Sequence, residues 1–113
     1  MSLNTSQLGK DILGAFKGAL TDKWPDIKEY GEAEAKKLAQ TLVMIESLRV
    51  SGKINDEQAR LHLDIQKNSA RIVLLSIEGL GILAVEAALN AALEVVKQAV
   101  NTAIGFPLIG PTA

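Results

Sequence analysis

Apolar residues recur at three- and four-residue steps along most of the chain, the spacing of one face of an α-helix. Over residues 5 to 21, Leu8, Ile12, Leu13, Phe16 and Leu20 share such a face, and Asn4, Thr5 or Ser6 can cap its start. Thr21-Asp22-Lys23-Trp24-Pro25 interrupts the pattern. Proline disfavours helical geometry at Trp24 and lacks an N–H, which suits the first turn of a new helix; a mild kink in one continuous helix is the alternative. From about Pro25 to Val50 a second stripe follows, made of Ile27, Tyr30, Ala35, Leu38, Leu42, Ile45 and Leu48.

Ser51-Gly52-Lys53 is the clearest stop, because Gly52 can take the left-handed cap conformation. Asn55, with Gln58 three residues on, then reads as a capping box, and Asp56 and Glu57 meet the positive end of the helix dipole. No proline follows until Pro107, so the pattern predicts helix from 55 to 104, about 75 Å at 1.5 Å per residue. Such a helix needs a partner along its length, and the earlier half supplies one by folding back through Ser51-Gly52. The expected fold is all-α: a long helical hairpin, with helices at about 5–21, 25–50 and 55–104, assembling into an oligomeric antiparallel helical bundle. Residues 1–104 form a single helical domain in this reading. Glycine and proline punctuate 105–113, which is expected to be an irregular tail.

The stretch Gly79-Leu80-Gly81-Ile82-Leu83-Ala84 spells G-x-G-x-x-A, the spacing of a dinucleotide-binding turn. That fold requires a strand before the glycines and a second parallel strand after the helix, with an acid to hold a ribose. The helical pattern runs on to about residue 104, and the few residues beyond it hold two prolines and no acid. The glycines are therefore read as close-packing or bend positions in a helix, at about 1 kcal/mol each relative to alanine.

Wound as a helix, residues 70 to 104 carry two apolar seams. Leu75, Ile82, Leu89 and Val96 recur at every seventh position; Gly81, Ala84, Ala88, Ala92 and Ala99 form a seam of small residues that lets another backbone approach. One returning helix covers only one side, and the rest would be a larger apolar patch than monomers expose. These nine residues, Leu75, Gly81, Ile82, Ala84, Ala88, Leu89, Ala92, Val96 and Ala99, are accordingly the expected oligomer interface of a dimer or higher assembly. The first part of the same helix is more polar. Arg60, Asp64, Lys67, Asn68 and Arg71 decorate one side, Gln58, His62, Gln66, Ser69 and Ser76 another, and this end is expected to project toward solvent or hold a polar contact.

Composition narrows the function classes. The chain has 113 residues, 48% of them hydrophobic but only 4% aromatic, which favours helices over a sandwich or barrel. Twelve basic residues against thirteen acidic give a net charge of −1, so no nucleic-acid partner is expected. With no cysteine there is no thiolate chemistry or cysteine metal site, and a reducing cytoplasm suits the chain. No basic segment followed by an apolar core appears near Met1, so no secretory signal is expected. Glu78, Glu86 and Glu94 break the apolar C-terminal half, so no stable membrane insertion is expected either.

Candidate chemistry is sparse. His62, the sole histidine, has Gln58, Ala59, Ile65 and Gln66 as helical neighbours, none a good metal ligand. The three glutamates step by eight residues, about 80° each, and spiral rather than converge. No serine has a histidine and an acid at a motif spacing. The chain is expected to be no enzyme, to use no cofactor, and to act as a self-associating helical scaffold or interaction protein. The alternatives are a membrane-active or secreted helical hairpin, or a small-ligand binder at a protomer interface.

Overall fold

A computed structural model of the chain describes residues 3–110. It contains four α-helices: α1 (Thr5–Ala19), α2 (Trp24–Val50), α3 (Asp56–Leu75) and α4 (Ile82–Ile104), with a short 3-10 turn at Thr21–Lys23. No strand occurs among the described residues. Each helix packs on its neighbours in a ring, α1 against α2 and α4, and α3 against α2 and α4. Short connections make successive helices antiparallel, an up-down-up-down bundle 42 Å long and 23 × 22 Å across.

The helix boundaries follow from local chemistry. The Asn4 side chain accepts the Gln7 N–H at 2.9 Å and caps α1. The break at 21–25 is a true break: Thr21 Oγ1 donates to the Gly18 carbonyl at 2.9 Å, and Pro25 lies in the first turn of α2. Gly52 adopts the expected left-handed φ of 78°, and Lys53 N–H returns to the Leu48 carbonyl at 2.9 Å. The capping box is complete, with Gln58 N–H on Asn55 Oδ1 at 2.8 Å and Asn55 N–H on Gln58 Oε1 at 2.9 Å.

The expected single helix over 55–104 is corrected. It is two helices, separated by residues 76–81. Ser76 Oγ donates to the Val73 carbonyl at 2.6 Å, Gly79 takes φ +90°, and Gly81 is the extended N-cap of α4. A positive φ is a conformation that glycine adopts freely and other residues resist. The glycines therefore mark a reversal rather than a close-packed or bent helix, and the described residues form four helices that together cover apolar surface.

One apolar core runs the length of the bundle. Ile12, Phe16, Ile27, Leu38, Leu42, Ile45, Leu74, Leu89 and Val96 are all fully buried in it. Gly9 of α1 faces Ala39 of α2, where an added Cβ would make ordinary contact at 3.9 Å. Along α2 the expected stripe needs one change. Tyr30 is exposed, while Gly31 and Glu34 occupy the buried side. Glu46 is buried as well, and its Oε1 accepts the Leu3 N–H at 2.9 Å, tying the start of α1 to the end of α2.

Residues 105–110 form no helix or strand, yet they pack on the same core. Leu108 and Ile109 are buried in the core. Asn101 clamps the backbone of Ile109 from both sides, donating to its carbonyl at 3.0 Å and accepting its N–H at 2.9 Å. The guanidinium groups of Arg49 and Arg60 both lie over the Phe106 ring, 5.5 and 5.2 Å from its centroid. Residues 111–113 of the expected tail lie outside the described residues.

Candidate functional site

The break at 76–81 redistributes the nine residues of the expected interface. Ala88, Leu89, Ala92 and Val96 are buried within the chain, where α4 packs into its own bundle. Ala84 is half-buried, and Leu75, Gly81, Ile82 and Ala99 are exposed. The physical reason is phase. The seven-residue recurrence of Leu75, Ile82, Leu89 and Val96 requires one unbroken helix; the reversal leaves the first two at the corner and sends the last two inward.

Exposed large apolar residues occur on α2, α3 and α4, and those of α3 share one face. Leu61, Ile65, Ile72 and Leu75 are exposed, Ile65 and Ile72 at 67% and 69%. With Asn68 they step along the helix by 4, 3, 4 and 3 residues. At 100° per residue, all five fall within an arc of about 80°. The opposite side of α3, Ala59, Leu63, Ala70 and Leu74, is buried in the core. α3 is thus apolar on two faces, and only one of them is used inside the chain. Ile82 and Leu83, the latter at 84%, are likewise exposed in the first turn of α4. The half of the expected long helix that looked polar therefore has an apolar seam running along its outer side.

Asn68, the polar residue of the seam, is held by a network that crosses to α4. Arg71 Nη1 donates to Asn68 Oδ1. The same guanidinium forks onto Glu86, Nη2 to Oε1 at 3.0 Å and Nε to Oε2. The hydrogen bond from Arg71 holds the Glu86 carboxyl below the usual carboxylate range, with Lys67 adding to the effect, while partial desolvation opposes both. The reciprocal bond raises Arg71 further above its ordinary value. Glu86, one of the three spiralling glutamates, is therefore a fixed strut between α3 and α4.

Other polar features do not converge. His62 is half-buried, and no group of three histidines, cysteines or acids able to hold a metal ion occurs among the described residues. Glu78 and Glu94 are both exposed. Glu34 is 1% exposed; its Oε2 meets Lys37 Nζ at 3.2 Å, and its Oε1 has no hydrogen-bond partner among the described residues. An open groove of about 640 Å³ runs between α1 and α4, with Leu3, Leu8, Val95 and Ala99 among its apolar lining and Gln7 and Gln98 among its polar lining. No helix among the described residues is long and apolar enough to cross a membrane.

Sequence motifs could have located the seam, because the 4-3-4-3 spacing of Leu61, Ile65, Asn68, Ile72 and Leu75 is a heptad pattern. The interleaved Arg60, Asp64, Lys67 and Arg71 masked it. No protein-family model, no curated protein and no solved structure matches the chain.

Proposed function

We propose that the chain is a non-enzymatic, self-associating helical module that works as a scaffold or interaction protein, with a second copy as the partner that covers α3. The observation that carries this reading is the exposed heptad seam Leu61, Ile65, Asn68, Ile72, Leu75, on a helix whose other face is already satisfied by the core. Isoleucine and leucine alternating at 3.5-residue spacing is the side-chain set that helices bury against one another, and one polar residue in such a seam fixes register. Contiguous exposed apolar surface of this kind marks an interaction site rather than a solvated face.

The partner surface is consistent with a weak to moderate association. The seam spans about 21 Å at 1.5 Å per residue. We expect a reversible association that depends on local concentration. A chain without cysteine suits a reducing compartment, and we place its work in the cytoplasm. The near-balanced charge argues against a nucleic-acid partner.

Light scattering behind size exclusion, run from low to high micromolar loading, tests the reading. A weight-average mass rising from 12.0 kDa toward twice that value supports it. A mass that stays at 12.0 kDa throughout overturns it.

A further inference from the structure

The order of residues along α3 bears on how two copies meet. From Asn68, Ile65 and then Leu61 lie on one side, and Ile72 and then Leu75 on the other. The seam reads Leu-Ile-Asn-Ile-Leu in both directions, with leucines seven residues away on each side and isoleucines three and four away. Two α3 helices laid antiparallel with Asn68 against Asn68 therefore match Leu61 with Leu75 and Ile65 with Ile72, each twice. A two-fold contact of this kind uses one patch on both copies and closes on itself.

The flanking charges obey the same reversal. Asp64 lies four residues before Asn68 and Arg71 three after it. Reversing the second helix places Asp64 of each copy opposite Arg71 of the other, two opposite-charge pairs. In a parallel pair the same positions face residues five further on, Ser69 and Ser76, and no charge is matched. Arg71 is already oriented, since Glu86 and Asn68 occupy three of its N–H groups, and a guanidinium carries five. Sliding the register by one heptad would set Asn68 against leucine and leave its amide N–H donors facing an apolar side chain, which is costly in such a contact.

We infer that two copies of this chain associate through α3 in an antiparallel register centred on Asn68. The inference rests on the self-association proposed above and adds its geometry. The seam from Leu61 to Leu75 forms the contact, and the pairs of Asp64 with Arg71 select the orientation over the parallel one.

The absence of cysteine makes disulfide mapping unambiguous. The full chain carrying both Leu61→Cys and Leu75→Cys is oxidised at micromolar concentration, and the cross-linked peptides are identified after trypsin. Both positions are exposed, so the core is untouched. Cleavage at Arg60, Lys67 and Arg71 puts residues 61 and 75 on different peptides. About 21 Å separates the two along one helix, far beyond the reach of a disulfide, so a 61–75 link must join two copies. The expected result is a covalent dimer in which 61–75 links dominate. Dimers joined 61–61 and 75–75 overturn the antiparallel register while leaving self-association standing. A dimer by mass with no cross-link at either position overturns the use of this face. A native chain of monomer mass, with no covalent dimer from the variant, overturns both.

Discussion

Trp24 lies across the backbone of Gly31, seven residues further along α2. A Cβ built on Gly31 would stand 2.7 Å from Cζ3 of the indole and 2.8 Å from Cη2. The ring is rigid and buried, so it cannot give way as a lysine tip would. It closes the corner where the chain turns from α1 into α2.

Gly31→Ala therefore sets two effects against each other. Alanine favours a helix interior by about 1 kcal/mol. Displacing a packed indole costs roughly 1–3 kcal/mol, as overpacking does elsewhere. The overlap is with ring carbons rather than a flexible chain end, so the steric effect wins. Net destabilisation of about 1 kcal/mol is expected in urea unfolding, with a red-shifted emission from Trp24, the sole tryptophan.

Glu34 and Lys37 are expected to respond unequally to mutation. The carboxylate is buried with one oxygen unpartnered among the described residues, while the lysine side chain is 53% exposed. Replacing the buried carboxylate by an apolar group of similar shape removes its desolvation penalty, and such changes are often neutral or stabilising. Removing its one ion-pair partner leaves the charge buried and uncompensated. Lys37→Ala is thus expected to lower the thermal midpoint more than Glu34→Met, although lysine is the more exposed residue. Differential scanning calorimetry of both variants checks the order.

The strut between Arg71 and Glu86 has a pH signature. The folded carboxyl is held below its ordinary value of 4.5 by the hydrogen bond from Arg71. At pH above the unfolded value the carboxylate is ionised in both states, and its contribution to stability is fully present. As pH falls from about the unfolded value through the folded one, the unfolded chain binds the proton first and the contribution is lost. Glu86→Gln is expected to lower stability at neutral pH and to flatten the decline below pH 4.5. Chemical unfolding at a series of pH values for both proteins measures the difference.

Much of the fold was legible because its signals are local. The caps at Asn55 with Gln58 and at Gly52 depend on a few neighbouring residues and form as expected, and Asn4 is the one of the three candidates Asn4, Thr5 and Ser6 that caps α1. The reversal at 76–81 was not legible in the same way. Ile77 and Leu80 continue the apolar content, and a glycine in such a stretch reads equally as a turn or as a tight helix contact. That ambiguity carried over to the expected interface. Once Gly79 turns the chain, Leu89 and Val96 belong to the core, and only Leu75, Gly81, Ile82 and Ala99 of the nine residues stay exposed. The seam on α3 was present in the spacing all along. Its residues alternate with charged ones, and whether a face is covered depends on what packs behind it. Leu63 and Ala70 had to be placed in the core before Ile65 and Ile72 could be recognised as outside it. Glu34 escaped notice because nothing in its neighbourhood marks a glutamate for burial.

The central claim is that α3 turns an uncovered apolar seam to a second copy, and sedimentation equilibrium of the native chain beside Ile65→Lys tests it most directly. Ile65 is 67% exposed, so the lysine leaves the helical bundle and its circular dichroism unchanged. The expected result is a native mass that climbs above 12.0 kDa with concentration, while the folded variant stays at the monomer value. A native chain that remains at 12.0 kDa, or a variant that associates as strongly as the native chain, would contradict the claim.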